Sequence, residues 1–225
     1  MAGALLEASK TVLLVFAALF PIVNPLGVAP IFLMMTGDAP ERVRRRLATR
    51  VALNGFLLLV ASVFVGSHIL RFFGITLPVV QVGGGLLVTV SGWKILTQEG
   101  APKDRRAAAG VEDDRLVLDR AFYPLTLPLT VGPGSIAVAI TLGSTISRAA
   151  ADGGRLLDLA AAGAGLGLIA ATIYLSFRFA GGIGRLLGQA GTNVFIRLTA
   201  FILVCIGIQI TWNGLSALVG PLVGR

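Results

Sequence analysis

The chain has 225 residues, of which 55% are hydrophobic and only 13% charged, with a formal net charge of +8. A soluble domain carries about 25% charged residues, so this composition, with a mean hydropathy of +0.86, excludes a soluble globular protein. A single cysteine, Cys205, and a single histidine, His68, exclude an internal disulfide and argue against a metal centre; no metal and no cofactor is expected.

A bilayer core needs about 20 apolar residues per helix. Six runs meet that length, at about 10–36, 47–70, 77–96, 121–146, 156–178 and 194–219. No basic segment precedes the apolar stretch at 11–20, and the run outlasts a signal peptide, so it reads as a retained span. Inside it lies PIVNPLGVAPIF, residues 21–32, with three prolines, a glycine and an asparagine. A proline in a helix interior costs about 3 kcal/mol, so the first span is expected to break here. Asn24 suits an N-cap and Pro25 the first helical position, which needs no amide hydrogen. An arginine-rich loop follows, then a second span carrying Asn54 and a third carrying Gln81, Gly83 to Gly85 and Trp93.

The mixed-charge stretch 97–120 reads as a linker. The fourth run repeats the grammar of the first: Gly132 and Pro133 open a new helix, and Ser135 is placed to bond a freed backbone group. The fifth run holds Gly163 and Gly167, whose spacing suggests close helix packing, and Tyr174. The sixth holds Gln209, Trp212 and Asn213.

Six crossings place 14 lysines and arginines on one side and 5 on the other. The positive-inside rule makes the first side cytoplasmic, with both termini outside. The same clustering explains the net charge through anionic headgroups. The lipid bilayer, and not nucleic acid, is therefore the expected partner. Three spans per half and a Pro-Gly break in spans one and four suggest two three-helix repeats, 1–96 and 121–225, joined by a cytoplasmic linker at 97–120. An odd span number inserts the halves in opposite senses. The expected fold is thus all-α, a polytopic membrane protein of two inverted repeats, with residues 24–27 falling on 132–135.

FPIVNPLGVAPIFLMMT before an arginine-rich loop, and YPLTLPLTVGPGSIAVAITLGS in the second half, resemble the MarC family of bacterial inner-membrane proteins, grouped with the LysE-type exporters. The resemblance covers the whole chain. It implies six spans, a bacterial or archaeal cell membrane, and transport of small neutral amino acids. Its motif positions fall on Asn24, Pro25 and Gly27, and on Pro128, Gly132, Pro133, Gly134 and Ser135. One departure is Gln81, where the family pattern has an arginine before the glycine pair of span three.

Two half-helix N-termini near mid-membrane would each offer free amides and a partial positive charge to a carboxylate. Broken backbone cannot face lipid, so the breaks must line a cavity or be buried in protein. A solute site is expected at Asn24, Pro25, Gly27, Gly132, Pro133, Gly134 and Ser135. Asn54, Tyr174, Gln209 and Asn213 are candidates for the cavity wall, each with an interhelical hydrogen bond as the alternative. Simple proline kinks are the alternative for the breaks. Every carboxylate falls in a loop or at a span end, so a proton relay finds little support; sodium or proton coupling, direction and a homo-oligomeric state stay open. No catalytic residue is expected, because Ser135 has no base in its own segment and no metalloprotease motif or paired aspartates appear. An efflux protein, a channel or a non-transporting scaffold are the competing readings.

Overall fold

A computed structural model describes residues 2–36, 39–97, 121–149 and 155–223. The described residues contain helices and no strand, in the order α1 (Ala2–Val23), α2 (Pro25–Thr36), α3 (Glu41–Phe64), α4 (Gly66–Phe72), α5 (Leu77–Thr97), α6 (Ala121–Thr130), α7 (Pro133–Ala149), α8 (Arg155–Arg178) and α9 (Ala180–Val223). Beyond Thr97, the expected linker at 97–120 lies outside the described residues.

Five runs are long and apolar enough to cross a membrane: Leu6–Leu33, Glu41–Phe64, Leu77–Thr97, Leu156–Arg178 and Ala190–Gly220. The pair Ala121–Thr130 and Pro133–Ile146, bent by 70° at a short break, makes a sixth when its two helices are counted as one span. Five of the six expected runs are single apolar spans and the fourth is this bent pair, which makes this a polytopic all-α membrane protein. The second ends earlier than the expected 70, because the helix stops at Phe64 and 66–72 forms a separate helix. That helix starts at Gly66 against α7, where a side chain would collide with Ile140. α9 contains its own break at Gly188, whose φ of 61° is the left-handed region glycine tolerates; the apolar run begins just after it.

Glu41 lies in the first turn of α3, and Lys94 and Arg178 in the last turns of α5 and α8, each complementing a helix dipole. Arg178 also reaches Glu41 at 3.2 Å, so α8 ends beside the start of α3. The core runs between these helices through Val15, Leu19, Phe32, Leu59, Leu166 and Ile173, all fully buried. Phe32 of α2 stacks on Phe177 of α8 with centroids 4.3 Å apart.

The helices meet through glycines. A methyl on Gly165 would lie 2.9 Å from Val15 Cβ, seating α8 on α1, and one on Gly84 would lie 2.8 Å from Ala137 Cβ, seating α5 on α7. At Gly163 and Gly167 a Cβ meets nothing within 4 Å. The packing residue of that stretch is therefore Gly165, on the opposite face from the expected pair. Gly83 is likewise open, while Gly84 and Gly85 make the contacts.

α5 and α9 run antiparallel. Gly85 faces Gly207 and Thr211, Gly207 faces Gly85 and Thr89, Gly92 faces Ala200 and Val204, and Gly214 faces Pro78 and Val82. Any antiparallel pair gives reciprocal contacts, but here the sequences also match. Val82, Gly85, Thr89 and Gly92 recur in the same spacing as Val204, Gly207, Thr211 and Gly214. Both threonine hydroxyls donate to the carbonyl of their own glycine at 2.9 Å.

Candidate functional site

α1 ends because Pro25 has no amide hydrogen to donate. Asn24 occupies the joint with φ of 47°, the only positive value at a non-glycine among the described residues. Asparagine tolerates this region because its short amide can bond the local backbone. Here it does: Asn24 N–H donates to Phe20 O at 2.8 Å, Val28 N–H donates to Asn24 O at 3.1 Å, and Gly27 N–H donates to Asn24 Oδ1 at 3.2 Å. Asn24 is thus the expected N-cap. The cap also occupies most of the amides that a carboxylate was expected to find, leaving Leu26 as the one position of the first turn whose N–H the joint itself does not use.

The side-chain amide of Asn24 borders a cavity of about 50 Å³. Gly27, Val28 and Ile31 line it from α2, Ile95 from α5, Leu129 from α6, and Ile196, Thr199 and Leu203 from α9. Asn24 and Thr199 are its polar side chains; the rest of the wall is apolar and without charge. Gly27 is the close-approach residue: a Cβ there would collide with the Thr199 methyl and lie 2.7 Å from Asn24 Nδ2.

The second break is built differently. α6 leaves the helical region at Tyr123 (φ −124°, ψ 125°) and Leu127 (φ −117°, ψ 123°), the residues before Pro124 and Pro128. Proline pushes its predecessor into that extended region. Thr126 and Thr130, both buried, return their hydroxyls to Ala121 O at 2.6 Å and Leu125 O at 2.7 Å, satisfying carbonyls that the irregular turns expose. The Gly132 carbonyl then accepts from Ile136 N–H at 3.1 Å and Ser135 Oγ at 2.9 Å. Ser135 therefore plays its expected local role, only 1% exposed.

The structure brings Asn24 and Gly27 to one cavity, with the buried Pro25 behind them. Gly132, Pro133, Gly134 and Ser135 do not line it. Gly134 instead sits against Val88 and Gly84 of α5. Its closeness is helix packing, so a bulky residue there tests α5–α7 contact rather than solute contact. Along α5 the first break is level with Ile95 and the second with Val88 and Gly84, about 10 Å or more apart. Gln209 and Asn213 bond one another at 2.9 Å on an exposed face of α9. Asn54 and Tyr174 are partly buried outside the cavity. Gln81 ties α5 to α7 through Thr141 at 3.4 Å.

Sequence reasoning missed Leu129 and Thr199. One signal for the former was available: Pro21, Pro25, Leu26, Val28 and Pro30 recur in register as Pro124, Pro128, Leu129, Val131 and Pro133. In that register Asn24 falls on Leu127 and not on Gly132, so the expected match of 24–27 with 132–135 is out of register by five residues; Asn24 and Leu127 both depart from helical backbone. No group of three or more metal-ligating side chains occurs among the described residues.

A family model described as "MarC family integral membrane protein" matches residues 9–219. Among curated proteins, the inner membrane protein MarC of Escherichia coli strain K12 is 29% identical over 219 residues, covering 96% of this chain and 98% of the relative. The Shigella flexneri protein of that name matches to the same extent. No solved structure matches the chain.

Proposed function

The chain belongs to the MarC family of integral membrane proteins, and on that premise we propose that it is an inner-membrane transporter of small neutral amino acids of the alanine, glycine and serine class. The observation that carries this reading is the Asn24 cavity: a proline-broken span whose joint holds a polar side chain against an uncharged, otherwise apolar wall. A proline kink needs no such cavity. Transport proteins commonly form their sites from discontinuous membrane helices. The uncharged wall suits a solute with no net charge, because an unpaired ion there would be costly.

In this proposal the halves 1–96 and 121–225 are inverted repeats, joined by a cytoplasmic linker at 97–120. The recurrence of Val82, Gly85, Thr89 and Gly92 in span six, and of the span-one prolines in span four, supports it. The solute meets the first break, and the second break is the seam, seated on α5 at Gly134, that parts as the halves rock. Coupling to sodium or protons is left to measurement. Saturable counterflow of labelled alanine, glycine or serine in proteoliposomes tests the function. Exchange no faster than in empty vesicles, for all three, rejects it.

The orientation carries its own test. With both termini outside, a cysteine at position 105 in a Cys205→Ala background is shielded from a membrane-impermeant thiol reagent in intact cells and labels after permeabilisation. Full labelling from outside reverses the assignment.

A further inference from the structure

Thr199 has a hydroxyl with nothing to do. The hydroxyls of Thr36, Thr49, Thr89, Thr141 and Thr211 all donate to a carbonyl four residues back in their own helix, which is how a threonine hides its polarity in an apolar setting. Thr199, partly buried on α9, makes no such bond and has no hydrogen-bond partner among the described residues. Its methyl group rests on Gly27, and its side chain lines the Asn24 cavity. Across that cavity Asn24 is in a similar state. Its Oδ1 accepts from Gly27 N–H, while its Nδ2 donates to nothing among the described residues. Gly27 brings the two together: a Cβ on it would touch both side chains.

Resting on the transporter reading, we propose that Asn24 and Thr199 form a two-point clamp for the carboxylate of the solute. Both present unused donors, and a carboxylate is an acceptor-only group. Neither donor atom is sealed from solvent, so a ligand replaces water at both, and one that fills both donors is favoured over one that fills neither. No cationic side chain lines the cavity, so the carboxylate must belong to a molecule that carries its own compensating charge. A zwitterion with a short aliphatic side chain meets these terms.

The test is counterflow of labelled L-alanine by the full chain in proteoliposomes. Thr199→Val keeps the shape against Gly27 and removes only the hydroxyl; its KM is expected to rise about tenfold, the loss of one hydrogen bond to a charged group. Thr199→Ser keeps the hydroxyl and recovers at least part of that affinity. Alaninamide, which lacks the carboxylate, competes poorly with alanine. If Thr199→Val matches wild type, the residue is packing alone and the clamp is rejected while the transporter reading stands. The clamp is rejected equally if Thr199→Ser loses as much affinity as Thr199→Val, because the retained hydroxyl then recovers nothing, or if alaninamide competes as well as alanine. If the wild type exchanges no neutral amino acid, the transporter reading itself fails and the clamp with it.

Discussion

Asn24→Gly is expected to yield a folded, inserted protein that has lost solute counterflow. The choice of glycine is what separates the two effects. Asn24 sits at φ of 47°, a region glycine enters freely. Alanine there would add left-handed strain of about 1–2 kcal/mol to the loss of the cap, about 1 kcal/mol. Glycine at an N-cap costs only a few tenths of a kcal/mol. Thermal stability in detergent should therefore stay close to wild type, while the amide that faces the cavity is gone. Unchanged counterflow in a stable Asn24→Gly protein would leave the joint as architecture only.

Gly143→Ala is the substitution expected to cost the most stability. The new methyl would lie 2.7 Å from the Val63 carbonyl carbon and 3.0 Å from its Cα. These are backbone atoms of α3, so no side-chain rotation relieves the contact and α3 must move off α7. Overpacking of this kind costs roughly 3 kcal/mol. Alanine returns about 1 kcal/mol as the better helix former, for a net loss of about 2 kcal/mol. Gly163→Ala is the matched control, because nothing lies within 4 Å of its new methyl; it should equal or slightly exceed wild type. Both variants are compared by thermal unfolding with size-exclusion readout. Equal stability of Gly143→Ala and Gly163→Ala would refute the close approach of α3 and α7.

The spans were legible because each is a long apolar run bounded by charge, and hydropathy reports that directly. The first joint was legible from Asn24 and Pro25, whose side-chain and ring chemistry dictate a helix start wherever they stand. Gly163 and Gly167 misled because a spacing of four marks one helix face without saying which face meets a neighbour; Gly165 holds that place through Val15 of α1. The pairing of the two breaks in a single cavity failed to appear for a similar reason. Whether Gly134 faces a void or a helix depends on where α5 packs, and local sequence carries no record of that. Thr199 was invisible as a candidate: a threonine in an apolar run ordinarily bonds its own backbone, and only its position across from Gly27, far away in the chain, distinguishes it.

The central claim is that solute binds in the cavity at the Asn24 joint. The most direct measurement is a structure of the full chain in lipid nanodiscs, determined with and without saturating L-alanine. Density of alanine size within hydrogen-bond reach of Asn24 and Thr199, present only with alanine, is the expected result. Alanine-dependent density at Gly132 to Ser135 or elsewhere, with the Asn24 cavity unchanged, would contradict it.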